Sequence, residues 1–263
     1  MKARHLVFVL LLLVVFVLPL VVLALYAVSP AWRYPQILPE QLDLRALHFV
    51  WEQSGVVGRM MAGSVLYSLL TAVLAFAICL APAQAFARTS FRGRTLLEGL
   101  LLAPALVPVM TFSMGVHVLF IRLGLADTLP GVVLVLTVFS YPYMLRALVA
   151  GFQAVNPGYA VCAANLGAGP LRRFFSVELP LLLPAALAGG VVVFLVAFSE
   201  YFLIFLIGGG AVDSYATYVF PYLASSDRSL ASVLTLLFLF VPILMFVLLE
   251  LLLGRYVTRI SIQ

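Results

Sequence analysis

The sequence has 263 residues, of which 65% are hydrophobic and 10% charged, with a formal net charge of +5 and a mean hydropathy of +1.19. So few charges cannot cover a water-soluble surface, which excludes a soluble domain and points to a chain that crosses the bilayer several times. The arginines are scattered between apolar runs, so no nucleic-acid partner is expected, and Cys79 and Cys162 lie in settings that suggest neither a disulfide framework nor a metal site.

The first segment pairs a basic start, MKARH, with an apolar stretch from Leu6 to Val28. That stretch exceeds the ~7–15 residues of a cleavable signal core, so an uncleaved first transmembrane helix is expected. The connection from Ser29 to Met61 carries Trp32, Tyr34 and Trp51 as candidate interface anchors. Continuing along the chain, apolar runs define spans near 6–28, 62–87, 96–121, 131–150, 182–207 and 230–253. Each is long enough for a bilayer core of about 30 Å, and none shows the alternation of a barrel strand. The expected fold is an all-α polytopic membrane protein with six transmembrane helices.

Flanking charges orient these spans. With the N-terminus inside, Lys2, Arg4, Arg88, Arg92, Arg94, Arg146, Arg172, Arg173, Arg255 and Arg259 are cytoplasmic. Arg33, Arg45, Arg59, Arg122 and Arg228 are then outside. This satisfies the positive-inside rule, and an even number of spans leaves both termini cytoplasmic.

Polar groups within the spans are candidates for a translocation pathway: Ser113 and His117 in the third, Ser140, Tyr141 and Tyr143 in the fourth, and Ser199, Glu200 and Tyr201 in the fifth. Glu200 stands out because a charge inside the membrane is costly. It either lines the pathway or serves as a structural partner for Arg122, Arg228 or backbone donors. Serines and tyrosines in such helices often bond only a neighbouring backbone carbonyl. Past the fifth span, Gly208-Gly209-Gly210 and Asp213 mark a flexible loop on the outer side.

Between the fourth and fifth spans lies the insert NPGYAVCAANLGAGPLRRFFSVELPLLLP, Asn156 to Pro184. Asn156-Pro157 reads as a helix start and Gly167 as its stop. Tyr159, Cys162 and Leu166 share one face, while Ala160, Ala163 and Ala164 supply small side chains. The helix has no charge, so it is expected to be covered, either by a docking partner or by lipid and its own bundle. Gly169-Pro170 offers a second helix start, Arg172 and Arg173 sit where the chain returns to the membrane, and Pro180 and Pro184 should bend the start of the fifth span.

The run Ala163-Ala164-Asn165-Leu166-Gly167-Ala168, followed by Pro170, Phe174, Val177 and Leu179-Pro180, resembles the "EAA" loop of permease subunits of binding-protein-dependent ABC importers. LAPAQAFARTSFRGRTLLEGLLLAPALVPVM is similar to the second and third spans of that family, and VLTVFSYPYMLRALVAGFQAVNP resembles its fourth. The resemblance implies a single permease domain of the type I importer fold in a prokaryotic cytoplasmic membrane. Residues 156–181 would form a coupling loop that seats in an ATPase subunit through Tyr159, Val161, Cys162, Ala163, Ala164, Leu166, Gly167, Ala168, Arg172 and Arg173. The two arginines could equally rest on lipid headgroups. Where the family usually has Glu-Ala-Ala, this chain has Val161-Cys162-Ala163. A partner permease with the intact motif would compensate, which favours a heterodimer.

The remaining implied partners are an extracytoplasmic substrate-binding protein and membrane lipid. A phosphate-binding G-x-x-x-x-G-K-[ST] loop cannot be written with Lys2 as the sole lysine, so the chain is not expected to be an enzyme. No cofactor is expected on it, and ATP and Mg belong to the partner ATPase. SEYFLIFLIGGG and YPYMLRAL resemble the polyamine, iron(III), thiamine and sulfate/molybdate branch, and the expected cargo is a polyamine or related small organic cation. The alternative is a secondary transporter or channel without an ATPase.

Overall fold

A computed structural model describes residues 2–33 and 35–260, so the anchor candidate Tyr34 lies outside the described residues. Among these residues the regular elements are all helical: α1 (Lys2–Ala27), α2 (Arg45–Glu52), α3 (Ser54–Arg88), α4 (Arg94–Leu102), α5 (Val109–Arg122), α6 (Leu129–Ala154), α7 (Gly158–Asn165), α8 (Pro170–Arg173), α9 (Leu179–Ser199), α10 (Phe202–Gly208), α11 (Tyr215–Leu223) and α12 (Arg228–Ile260). A 3-10 turn, Ala103–Ala105, follows α4, and a π turn, Phe174–Glu178, joins α8 to α9.

Among the described residues, four helical segments are long and apolar enough to cross a membrane: Ser54–Arg88, Leu129–Ala154, Pro170–Ser199 and Arg228–Leu248. A fifth forms if Arg94–Ala105 and Val109–Arg122 are taken together, although they meet at 91°. The span expected over 96–121 is therefore broken. Pro108 supplies no N–H and disfavours helical backbone at Val107, and its own ψ of 128° is extended.

The span expected over 182–207 also differs, because α9 stops at Ser199 and α10 begins at Phe202. At its start the two prolines do not interrupt the helix. The segment from Pro170 to Ser199 runs through Pro180 and Pro184, and the irregularity is taken up by the π turn just before Pro180.

The fold divides into two compact units. One is drawn from Met1–Ala62 and Ser214–Ile243. Ala27, Ala46, Val57, Tyr215, Val219 and Leu234 form its core. The buried Tyr215 hydroxyl donates to the Leu234 carbonyl at 2.8 Å, and Ser229 donates to the Ala27 carbonyl at 2.9 Å. Ahead of α12, the Asp227 carboxylate accepts from the Leu230 N–H at 3.1 Å and pairs with Arg45 at 2.6 Å.

Burial raises the Asp227 pKa, but the Leu230 N–H, the Arg45 guanidinium and the Ser229 N–H outweigh it and hold the carboxyl below its ordinary 3.8. A depressed folded pKa gives stability that is present above the unfolded value and lost as pH falls through the folded one. Native protein should therefore lose a small increment of thermal stability below pH 3.8 that the Asp227→Asn variant has already lost at neutral pH. Both partners are partly exposed, so solvent screening keeps the increment under about 1 kcal/mol. A thermal-midpoint series against pH in detergent measures it.

The second unit comprises Gly63–Asp213 and Leu244–Gln263. Here α6 and α9 approach closely because small residues face one another. A Cβ on Gly151 would stand 2.5 Å from the Ala185 Cβ, and one on Gly189 would stand 2.8 Å from the Ala147 Cβ. Between α5 and α6, Thr128 caps α6 by accepting from the Gly131 N–H at 3.1 Å while donating to the Leu125 carbonyl at 2.8 Å. Asp127 in the same turn has a positive φ of 59°, and its N–H donates to the Ile207 carbonyl at 2.7 Å, tying the turn to α10.

Candidate functional site

Helix α7 is the core of the expected coupling loop. It begins at Gly158, one residue later than the Asn-Pro signal suggests, and Asn156 still serves it, since its Oδ1 accepts from the Gly158 N–H at 2.8 Å. At the other end Gly167 takes φ +82°. The Gly167 N–H donates to the Ala164 carbonyl at 2.9 Å, and the Ala168 N–H donates to the Ala163 carbonyl at 3.0 Å. This is a Schellman turn, so Ala163, Ala164, Gly167 and Ala168 shape the helix end through backbone bonds.

Tyr159, Val161, Cys162 and Leu166 instead point outward. Tyr159 and Val161 are each 58% exposed and Leu166 is 88% exposed, while Ala160 is buried beneath them. Leu171 and Phe175 extend this exposed apolar surface beyond the turn. Arg172 is exposed as well, whereas Arg173 turns inward.

Arg173 turns inward toward Glu178, which the sequence reading did not include. Glu178 is buried, at 5% exposure, within the π turn. Its Oε1 lies 3.5 Å from Arg88 Nη1 and 3.7 Å from Arg173 Nε, and its Oε2 accepts from Gln84 Nε2 at 3.3 Å. The Arg88 guanidinium also covers the Phe152 ring at 5.2 Å. The available sequence signal was an acid five residues after an arginine. On an α-helix five residues rotate to about 140° off the starting face, and only a wider turn brings them together.

The candidate pathway residues divide by environment. The Ser113 hydroxyl donates to the Met110 carbonyl and the Ser140 hydroxyl to the Leu136 carbonyl, and both residues are buried. Tyr141 donates to the Leu101 carbonyl at 2.5 Å, strapping α6 to α4. Tyr143 is 40% exposed. His117 is half-buried, and its Nδ1 has no hydrogen-bond partner. Tyr201 stacks on Phe205 with ring centroids 5.7 Å apart.

Ser199 and Glu200 sit together at the break between α9 and α10. The Glu200 N–H reaches back to the Ala197 carbonyl, a tightened turn, and the Ser199 hydroxyl donates to the Leu195 and Val196 carbonyls at 2.8 and 3.3 Å. Glu200 Oε1 accepts from the N–H groups of Phe202 and Leu203 at 3.1 and 3.2 Å, the first turn of α10. Of the partners expected for this carboxylate, backbone donors are the ones it has. One oxygen is thus committed to closing a helix end, so Glu200 has a structural role at the break.

Residues 74–261 match the family model described as binding-protein-dependent transport system inner membrane component. The molybdate/tungstate transport system permease protein WtpB of Pyrococcus abyssi is 28% identical over 137 residues, covering 52% of this chain and 55% of that protein. A spermidine/putrescine transport system permease protein PotC homolog of Mycoplasma genitalium is 33% identical over 84 residues, covering 32% of this chain and 29% of that protein. The chain spans about half the length of the curated relatives it matches first. A chain from the crystal structure of a bacterial ABC transporter involved in the import of the acidic polysaccharide alginate superposes with a TM-score of 0.72, covering 95% of both chains. At 14% identity this similarity speaks for the fold alone.

Proposed function

Because the chain belongs to the family of binding-protein-dependent transport system inner membrane components, we propose that it forms half of the translocation pore of an ABC importer and takes its energy from a separate ATPase docked on α7. Membership makes it a multi-pass inner-membrane permease rather than an ATPase. The observation that carries the docking role is the exposed, uncharged surface of Tyr159, Val161, Cys162 and Leu166, held by the Gly167 turn. A helix in contact with water only would expose charge there.

In this reading α1 joins the four long spans and the bent α4–α5 pair to make six crossings, and both termini are cytoplasmic. The arginine distribution supports that orientation, because it puts α7 and Arg172 on the ATPase side. A second permease completes the pore, with Val161 standing where the intact motif of such a partner would place glutamate. A binding protein delivers cargo from outside. ATP, with Mg, closes the ATPase pair, brings the two coupling helices together and switches the pore between inward- and outward-facing states. His117, Tyr143 and the break at Glu200 are the residues we assign to the pathway. The cargo is a small charged solute of one of the two kinds named among the relatives, an oxyanion such as molybdate or a polyamine.

The test begins with gentle detergent purification of the tagged native chain. An ATPase bearing a Walker A motif and a second permease are expected to co-purify, and the reconstituted complex should take up labelled molybdate or spermidine only with ATP and binding protein. Uptake driven by the chain alone, with no ATPase retained, would leave the stand-alone transporter as the correct reading.

A further inference from the structure

We propose that Glu178 is the positioning residue of this transporter: it locks the α7–α8 loop to α3 and α6, so that displacement of α7 reaches the membrane helices. The coupling half of this proposal rests on the importer reading above. The loop is attached at two ends, and one carboxylate serves both. On the outgoing side, Glu178 meets Arg173 across the π turn at 3.7 Å. On the incoming side, α6 ends at Ala154, and Phe152 in its last turn lies under the guanidinium of Arg88, which itself reaches Glu178 at 3.5 Å. Gln84, one turn before Arg88 on α3, holds the second carboxylate oxygen.

The charge balance makes Glu178 indispensable to this arrangement. Two guanidinium groups converge on one buried acid, and the Nε atoms of Arg88 and Arg173 find no hydrogen-bond partner. Without the carboxylate, like charges would face each other where solvent is only partly present, and the loop would be driven away from α3. The π turn belongs to the same device. A regular α-helix would swing Glu178 away from Arg173, whereas the wider turn stacks residues five apart. Glu178 does not replace the glutamate missing at position 161, because Val161 is outward-facing and Glu178 is buried.

Cys162 provides the readout. It is exposed on α7, while Cys79 is buried in α3, so a thiol-reactive nitroxide reports on the loop alone. In the purified chain, the label should be restricted in the native protein, more mobile in Glu178→Gln, and largely restricted again in Glu178→Asp, which keeps the charge. Arg173→Gln removes the same contact from a partly exposed partner and covers the case in which Glu178→Gln fails to fold. In the complex reconstituted with its ATPase, Glu178→Gln should still bind and hydrolyse ATP, but cargo moved per ATP should fall about tenfold.

Unchanged label mobility in both Glu178→Gln and Arg173→Gln would overturn the positioning role. A normal transport ratio in Glu178→Gln would overturn the coupling role. If native protein retains no ATPase, the importer reading and the coupling role fall together, while label mobility still decides whether Glu178 fixes the loop.

Discussion

Replacing Leu166 with arginine is expected to weaken ATPase binding by more than about two orders of magnitude while the chain still inserts in the membrane, since each 1.4 kcal/mol is tenfold in affinity. Leu166 is 88% exposed and ends α7 in an unstrained conformation (φ −82°, ψ 10°), so folding does not depend on its side chain. Its value is realised only when a partner covers it. Burying a leucine side chain is worth about 1.5–3 kcal/mol, and an arginine in its place loses that gain and adds the desolvation of an unpaired charge. Binding titrations of the purified ATPase against native and variant permease measure the loss. Leu166→Met should stay near native, because the substitution keeps volume and polarity. Native-strength binding by Leu166→Arg would show that the ATPase docks elsewhere.

The largest effect on folding is expected at Gly131, where alanine should destabilise the chain by about 3 kcal/mol or more through overpacking against rigid backbone. A Cβ built there would stand 1.9 Å from the Leu125 carbonyl oxygen and 2.9 Å from its carbon. Neither atom can move freely. The Leu125 N–H is bonded to the Phe120 carbonyl, its own carbonyl receives the Thr128 hydroxyl, and Thr128 in turn caps α6 through Gly131. The variant should show a lower thermal midpoint in detergent and reduced yield from membranes. Gly115→Ala is the control, because its Cβ would meet nothing within 4 Å in the middle of α5. There alanine should be neutral or stabilising by up to about 1 kcal/mol. Equal stability of the two variants would show that the α5–α6 turn is looser than its bonds imply.

The legible part of this structure is the part in which residue type alone decides. The spans expected over 62–87 and 131–150 are found as α3 and α6, because an uninterrupted apolar run that must satisfy its backbone in hydrocarbon has no alternative to helix. Gly167 reads correctly as a stop, since the Schellman turn needs a positive φ that glycine supplies without strain. Where a long-range contact decides, sequence says less. The break at Ser199–Glu200 depends on side chains replacing backbone bonds, and a hydropathy run passes straight through it. Pro108 was visible, but a proline inside a span can be absorbed, as Pro142 is in α6, or can open a 91° corner. Glu178 was hidden for two reasons. Its partner Arg88 is ninety residues away, and its partner Arg173 is in register only on a π turn.

The interruption between α9 and α10 has a mechanical consequence. A bent membrane helix ordinarily resists further bending because each opened carbonyl or amide in hydrocarbon costs several kcal/mol. Here the Val196 carbonyl is already served by Ser199 and the Phe202 and Leu203 amides by Glu200, so the groups opened at the joint have side-chain partners. The two bonds to Glu200 Oε1 cross the joint, so rotation about the torsions of Glu200 and Tyr201 must first release them, while α9 and α10 on either side stay stiff. A single carboxylate oxygen therefore works as the catch of this joint: held, it fixes the turn, and released, it leaves two amides without partners.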